Sequence, residues 1–479
     1  MPGTALLWLR RDLRLRDNPA LARALADYER LVPVYIHAPS EEGHWRAGAA
    51  SRWWLHHSLE SLDRDLRSRG SALVIAQGAD SLAELRRVIG SCGATAVFWN
   101  RCYEPAAIGR DRRIEQALRG DGLRCETTNG ALLFEPWEVM TGERGPYRVF
   151  TPYWRRAAQR LRAPAAEAAP RGLPPLPDGL GGLDLDALEL LPRIRWDSGL
   201  ARVWQPGEPG AEARLGDFLA GPIGGYREER DKPGRVGTSR LSPHLHFGEI
   251  APGRILRAIA DQGLALDASP AEPFVREIGW REFAHHVLYH FPDTPEEPLD
   301  ERFSAFPWAA DANGDQLRAW ERGRTGIPLV DAGLRELWET GWMHNRTRMV
   351  AASLLTKNLR LPWQGGARWF WDTLVDADLA NNTLGWQWAA GCGADAAPYF
   401  RVFNPVRQGE RFDPAGDYVR RWCPELARLP DSHIHAPWAA PAQVLADAGV
   451  RLGRDYPAPL VDLAASRRAA LEVWEVVKA

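Results

Sequence analysis

Over the first 130 positions, apolar residues follow two alternating rhythms. Short unbroken runs at 5–9 (ALLWL), 31–36 (LVPVYI), 72–76 (ALVIA) and 95–99 (TAVFW) are separated by segments near 51–69, 80–90 and 106–119, where apolar positions recur every three or four residues. Unbroken runs of that length suit strands buried on both faces, and the longer period suits helices that cover them. The pattern predicts an α/β domain over residues 1–130, with a parallel, Rossmann-like sheet. No GxGxxG follows the first run, so the dinucleotide fingerprint is missing from the place where it would lie. From about 160 to 212 the chain is rich in Ala, Pro, Gly and Leu (RAPAAEAAPRGLPPLPDGLGGLDLD). That composition disfavours regular elements, and residues 131–212 are read as a long inter-domain linker. Residues 213–479 are patterned almost entirely as helices, broken by Gly-Pro, Pro-Asp and Gly-Gly stops, and predict an all-α C-terminal domain.

Composition narrows the class. With 479 residues, 45% hydrophobic and 25% charged, the chain is that of a globular protein, neither disordered nor membrane-embedded. Sixty basic residues against 62 acidic ones give a net charge of −2, so any nucleic-acid site must be a local patch. Five cysteines form no CxxC pair and no ligand spacing for zinc or an iron–sulfur cluster, which fits a reducing, cytoplasmic setting with no metal. The only N-terminal apolar run, five residues long, is too short for a signal peptide or a membrane span. Tryptophan is the anomaly: there are 22, dense after Trp280.

Four segments carry candidate chemistry. In GTSRLSPHLHFGE (237–249), Ser242 is placed to cap a helix whose first turn holds Pro243. The free N–H groups there, with Thr238, Ser239 and Arg240, would hold a diphosphate, although an ordinary cap explains the same residues. Glu277, Trp280 and Arg281 share one face of the next strong helix. That trio suits a pocket for an extrahelical base, the alternative being a buried tryptophan beside a surface ion pair. In GWMHNRTRM (341–349), Asn345, Arg348 and Met349 share a face from which Arg346 is turned away. In DADLANNTLGWQWAAGCGADAAPYF (376–400), Asp376 and Asp378 suit a metal pair, a helix cap, or acceptors for a ribose and a ring N–H, and spacing does not choose between them.

Taken in order, RRDLRLRDN (10–18), TSRLSPHLHFGE, WREF (280–283), GWMHNR (341–346), DADLANN (376–382) and GWQWAAGCGADAAPYFRVFNP (385–405) closely resemble the photolyase/cryptochrome flavoproteins, from about residue 5 to about 460. The resemblance implies an N-terminal antenna domain and a C-terminal domain holding FAD. Its activity would be light-driven repair of cyclobutane pyrimidine dimers in DNA, by electron transfer from photoexcited reduced FAD to a flipped-out dimer. By the same resemblance, Tyr226 and Thr238, Ser239, Arg240, Leu241 and Ser242 hold the flavin's phosphates. Arg348, Asp376 and Asp378 line its ribose and ring region, and Asn382 faces flavin N5. Glu277, Trp280, Asn345 and Met349 line the dimer pocket, and Arg230 and Arg346 meet DNA phosphates. Trp386, Trp363 and Trp308 carry electrons from the surface. For Trp338, Trp342 and Trp388 core packing is expected, a branch of that chain being the alternative.

Within the family, SPHLHFGE and EEGHWRAGAASRWW (41–54) resemble the class III bacterial photolyases nearest plant cryptochromes. The Asn-Glu pair that holds folate in better-known bacterial enzymes is here Ala106-Ala107. Methenyltetrahydrofolate seated differently is therefore the expected antenna, with Glu42 and His44 as contacts. UV-damaged DNA is the expected partner of a monomer. A blue-light receptor and (6-4) photoproduct repair are the alternatives. The retained pocket residues and the lack of a long C-terminal extension weigh against a receptor, and Asn345 and Met349, where (6-4) enzymes have histidines, weigh against the other lesion.

Overall fold

The computed structural model describes residues 3–478. Five parallel strands, β1 (Thr4–Leu9), β2 (Arg30–His37), β3 (Val74–Gln77), β4 (Ala94–Asn100) and β5 (Arg124–Thr128), form one sheet in the order β3-β2-β1-β4-β5. Helices α1 (Pro19–Asp27), α2 (Ala49–Ser68), α3 (Ser81–Cys92) and α4 (Pro105–Gly120) cover it. The four apolar runs became β1 to β4, and every β1 residue is buried. Strand β5 (RCETT) lies at the sheet edge and is mostly half-buried, so no apolar run marks it. Helix α1 starts where the Asn18 side chain accepts a hydrogen bond from Leu21 N.

The Pro- and Ala-rich segment is a packed strap rather than a free connector. Leu183 N donates to Ile75 O at 2.8 Å, which occupies the outer edge of β3. Leu173, Leu188 and Leu190 are buried in the same core as α2. Helix α5 (Phe150–Arg160) precedes that segment, and regular elements also occur where the composition disfavoured them: α6 (Ser198–Val203) and the start of α7 (Glu208–Ala220).

The helical region continues with α8 (Pro222–Glu229), α9 (Ser242–His246), α10 (Pro252–Asp261), α11 (Glu272–His290), α12 (Asp315–Glu321), α13 (Pro328–Thr340), α14 (Asn345–Ser353), α15 (Trp363–Thr373) and α16 (Leu379–Ala390). Five more follow: α17 (Pro405–Phe412), α18 (Asp417–Trp422), α19 (Asp431–Ile434), α20 (Ala442–Ala448) and α21 (Leu463–Val477). Buried polar groups join this region to the sheet. Arg14 donates to the carbonyls of Gly130 and Gly248 at 2.7 and 2.8 Å. Trp54 of α2 donates to Glu249 at 2.8 Å. Gly248, at φ +64°, passes so close to Arg11 that a Cβ would sit 2.1 Å from its carbonyl oxygen.

Helix α11 anchors the segment before α5. The carboxylate of Glu282 accepts from Leu133 N and Phe134 N at 2.8 and 3.1 Å. His286 Nδ1 donates to Pro136 O at 2.9 Å while Nε2 accepts from Tyr147 N at 2.9 Å. That double role requires a neutral ring, and burial lowers His286 from 6.5 to about 4. With the folded value depressed, its stabilisation is present above pH 6.5 and is lost as pH falls towards 4. Glu282 works in the opposite sense, because burial pushes it up to about 7. The pH effect of His286 therefore has to be read as a difference. In urea unfolding, His286→Gln should destabilise the protein at pH 7.5, and the gap from wild type should narrow on acidification to pH 4 by up to about 3 kcal/mol. A gap that does not change with pH would contradict the neutral-ring bracing.

Candidate functional site

A cavity of about 580 Å³ opens among α8, α9, α11, α14 and α16. One end is built by Tyr226 and the loop Thr238–Ser242. Within that loop Arg240 takes a left-handed φ of +52°. Its guanidinium lies 4.5 Å from the Trp342 ring centroid and 3.8 Å from a Glu336 carboxylate oxygen. The expectation that Ser242 caps α9 is overturned: Leu241 occupies the cap, and the Ser242 hydroxyl instead donates to Asp376 at 2.6 Å. Asp376 offers a second acceptor there, and the serine makes the stronger, charge-assisted bond.

The two aspartates have separate tasks. Asp376 accepts from Arg348 at 2.9 and 3.1 Å, and Arg348 also donates to Met343 O at 2.7 Å. Asp378 caps α16, accepting from Asn381 N at 2.9 Å and Asn381 Nδ2 at 2.7 Å. Its other oxygen faces His285 Nε2 at 3.5 Å and His246 Nδ1 at 3.6 Å. Burial alone would push Asp378 up, but His285 and His246 outweigh it and hold the carboxyl well below the usual range. Asp376 is thus engaged by Ser242 and Arg348 and Asp378 by the start of α16, so of the three uses the spacing left open the helix cap is the one Asp378 makes. Asn382, one residue beyond the capped asparagine, donates to Ala367 O at 3.0 Å and lines the cavity.

At the mouth, α11 presents Glu277, Trp280 and Arg281 together, as their spacing implies. Trp280 stacks on Phe150 with centroids 3.8 Å apart and planes 12° from parallel. Arg281 is fixed by the Ala131 carbonyl at 2.9 Å. Glu277 pairs with Arg230 at 2.7 Å, and burial pushes its carboxyl up while Arg230 opposes the shift. Across the cavity, exposed Asn345 donates to the Met349 sulfur at 3.9 Å. Arg346 leaves this face, paired with Asp231 at 2.7 Å and lying 4.3 Å from the Phe412 ring centroid.

Trp386 lines the cavity and is buried against Phe370 and Trp320, with centroids 5.0 and 5.9 Å away. A Cβ at Gly366 would lie 2.0 Å from its ring, so this packing requires glycine there. Trp363 is buried and Trp308 half-buried, the latter 4.5 Å from the Phe306 ring. Core packing fails for Trp338, which is 60% exposed and stacks on Trp369 at 5.9 Å and 3°. Trp342 is buried, and half-buried Trp388 borders the cavity. Sequence reasoning missed Phe150, Trp320 and His285, which act through neighbours brought from far along the chain, and Phe370 and His246, which line the cavity without a spacing that marks them.

A second cavity of about 460 Å³ lies between the sheet domain and the helices. Glu42, His44, Trp45, Ala106, Ala107 and Trp371 are among its walls. Glu42 accepts from Ala47 N at 2.8 Å, whereas His44 is mostly exposed, 3.8 Å from Glu296. Trp45 donates to Glu296 at 2.9 Å and meets Trp371 edge-on at 5.3 Å. His246 and Ala377 line both cavities and so form part of the wall between them.

The larger cavity fits FAD by its donor chemistry. Its walls combine hydroxyl and guanidinium donors (Thr238, Ser239, Ser242, Arg240, Arg348), the carboxylates of Asp376 and Asp378, and flat aromatic rings. The family model "DNA photolyase" matches residues 5–173, and "FAD binding domain of DNA photolyase" matches residues 274–476. A deoxyribodipyrimidine photo-lyase from Agrobacterium fabrum is 45% identical over 475 residues, covering 99% of this chain and 98% of that one. Cryptochrome-1 of Arabidopsis thaliana is 40% identical, over 99% of this chain and 71% of its own length. The crystal structure of a bacterial class III photolyase from Agrobacterium tumefaciens superposes with a TM-score of 0.94 at 44% identity, covering 100% of this chain and 98% of that one. A fold shared along the whole chain, two models that take in both the sheet and the helices, and relatives at this identity make the chain a member of the photolyase/cryptochrome family.

Proposed function

We propose that this protein is a photolyase that repairs cyclobutane pyrimidine dimers in DNA. The observation that carries the reading is the mouth of the larger cavity, where Trp280, backed by Phe150, stands beside Glu277 and opposite Asn345 and Met349. A flat ring braced from behind offers its free face for stacking, and Glu277 beside it offers an acceptor to a pyrimidine N–H edge. Arg230, through its pair with Glu277, sets the carboxylate's direction, and Arg230 and Arg346 are assigned to phosphates at the rim.

When bound, reduced FAD excited by near-ultraviolet or blue light would supply the electron that splits the dimer and would take it back afterwards. The chain's own work is to hold that cofactor and keep water out. Tyr226, Thr238, Ser239, Arg240, Leu241 and Ser242 are assigned to its phosphates, Arg348, Asp376 and Asp378 to its ribose and ring region, and Asn382 to the ring's N5 edge. Trp386, Trp363 and Trp308 run from buried to half-buried positions, as a path for electrons drawn inward would require.

The second cavity is assigned to methenyltetrahydrofolate, with Trp45 as a wall for a flat ring and Glu42 and His44 near its rim. Among the described residues no helix is long and apolar enough to cross a membrane, and a monomer in the cytoplasm is the proposed setting.

Three measurements test these assignments. Trp280→Ala should weaken binding to an oligonucleotide with one dimer by roughly 1 to 3 kcal/mol and hardly affect binding to undamaged DNA; equal loss on both would remove Trp280 from the pocket. Trp386→Phe should slow photoreduction of oxidised FAD while chemically pre-reduced enzyme repairs normally. A pre-reduced variant that fails to repair would show that Trp386 does more than supply electrons. Trp45→Ala should lower the folate content of the purified protein with FAD content unchanged, and unchanged folate would move the antenna elsewhere.

A further inference from the structure

The wall behind Asp378 contains more protonatable groups than a cap needs. Asp378 already accepts two hydrogen bonds from Asn381 on one oxygen. Its other oxygen is approached by two buried imidazoles from different helices, His246 of α9 and His285 of α11. His246 Nδ1 is buried and makes no hydrogen bond among the described residues. His285 is the more constrained, because its Nδ1 lies 3.0 Å from the Arg281 carbonyl, which only accepts. A neutral His285 would carry its one proton there and turn the Nε2 lone pair towards the Asp378 carboxylate at 3.5 Å. Two lone pairs facing each other in a buried site are unfavourable, and a proton between them removes the conflict.

We infer that His285 and Asp378 share one proton and act as a net-neutral pair in the wall of the larger cavity, with His285 a positioning residue for Asp378. Because the two groups are coupled, the proton belongs to the pair and not to either member. Burial outweighs the pull of Asp378 and holds the imidazole below its ordinary value, while Asp378 is held well below its own by His285 and His246, so it is the contacts at Nδ1 and Nε2 that call for the shared proton. The other charged groups facing the pair are Arg281 on α11, and Arg11 with its partner Glu104 at the start of α4. Those last two are themselves an ion pair and largely cancel.

The inference rests on the flavin reading for its consequence. The ring of reduced flavin is itself negatively charged, and a lone buried carboxylate beside it would repel it. A neutral pair leaves Asp378 free to accept a hydrogen bond from the ring without that repulsion. The second imidazole, His246, faces the other cavity as well, so the pair also lies next to the wall the two cavities share.

The test is a proton count in flavin-loaded protein at pH 7.5. Nitrogen-15 NMR of the imidazoles, with the His285 signals among the 12 histidines identified by their loss in His285→Gln, gives the state of His285. Carbon-13 NMR of the aspartate carboxyls, with Asp378 identified by Asp378→Asn, gives the other half. One proton on the pair, as imidazolium with carboxylate or as neutral imidazole with carboxylic acid, is the expected result. In Asp378→Asn, whose amide can donate to Nε2, His285 should then be neutral, with its single proton on Nδ1. A neutral His285 beside an ionised Asp378, or a pair holding two protons, would overturn the inference. Protein that purifies without flavin would count against the flavin reading alone, since the proton count can still be made on it.

Discussion

Asp376 is the knot on which the larger cavity depends. Its carboxylate joins three stretches far apart in sequence: Ser242 at the end of the Thr238–Ser242 loop, Arg348 on α14, and its own segment leading into α16. Arg348 extends the tie to the Met343 carbonyl, so the turn before α14 is held as well. One guanidinium nitrogen of Arg348 is shared by both carboxylate oxygens while its Nε goes to Met343, so two ends of the planar group are fixed, which a single lysine contact would not do. Removing the carboxylate would leave a guanidinium and a hydroxyl without their acceptor in a half-buried site, and the loop at Ser242 would lose its tie to α14.

From that knot the cavity divides into regions of different chemistry. The Thr238–Ser242 loop contributes hydroxyls and the Arg240 guanidinium to its wall. Aromatic rings and amides line the rest, with Trp386 locked in place because residue 366 is glycine. Helix α11 serves the mouth and the wall at once: Glu277 and Trp280 face outward, His285 reaches Asp378, and Glu282 and His286 brace the chain before α5. Phe150, carried on that braced stretch, is what backs Trp280. Stacking at the mouth is thus tied to polar contacts made by Glu282 and His286 further along the same helix.

Much of this could be read from residue order. Four apolar runs located four strands because those strands are buried on both faces, whereas β5 was invisible because an edge strand of RCETT needs no such run. Helical spacing correctly grouped Glu277 with Trp280 and Arg281, and Asn345 with Met349, and turned Arg346 away. Spacing could not show that Ser242 leaves the cap to Leu241, since the competing acceptor lies 134 residues on. Nor could it show that Trp338 stacks on Trp369 at the surface, or that two histidines meet Asp378. The helices inside the Pro- and Ala-rich strap are stabilised by what they pack against, which composition does not record.

Light-driven repair has one direct chemical readout. Reduced, purified protein should restore intact thymines to an oligonucleotide carrying a single cyclobutane dimer under blue light and do nothing in the dark. No recovery in the light, from a sample whose spectrum shows bound reduced FAD, would contradict the repair reading and leave a light receptor as the better description of this fold.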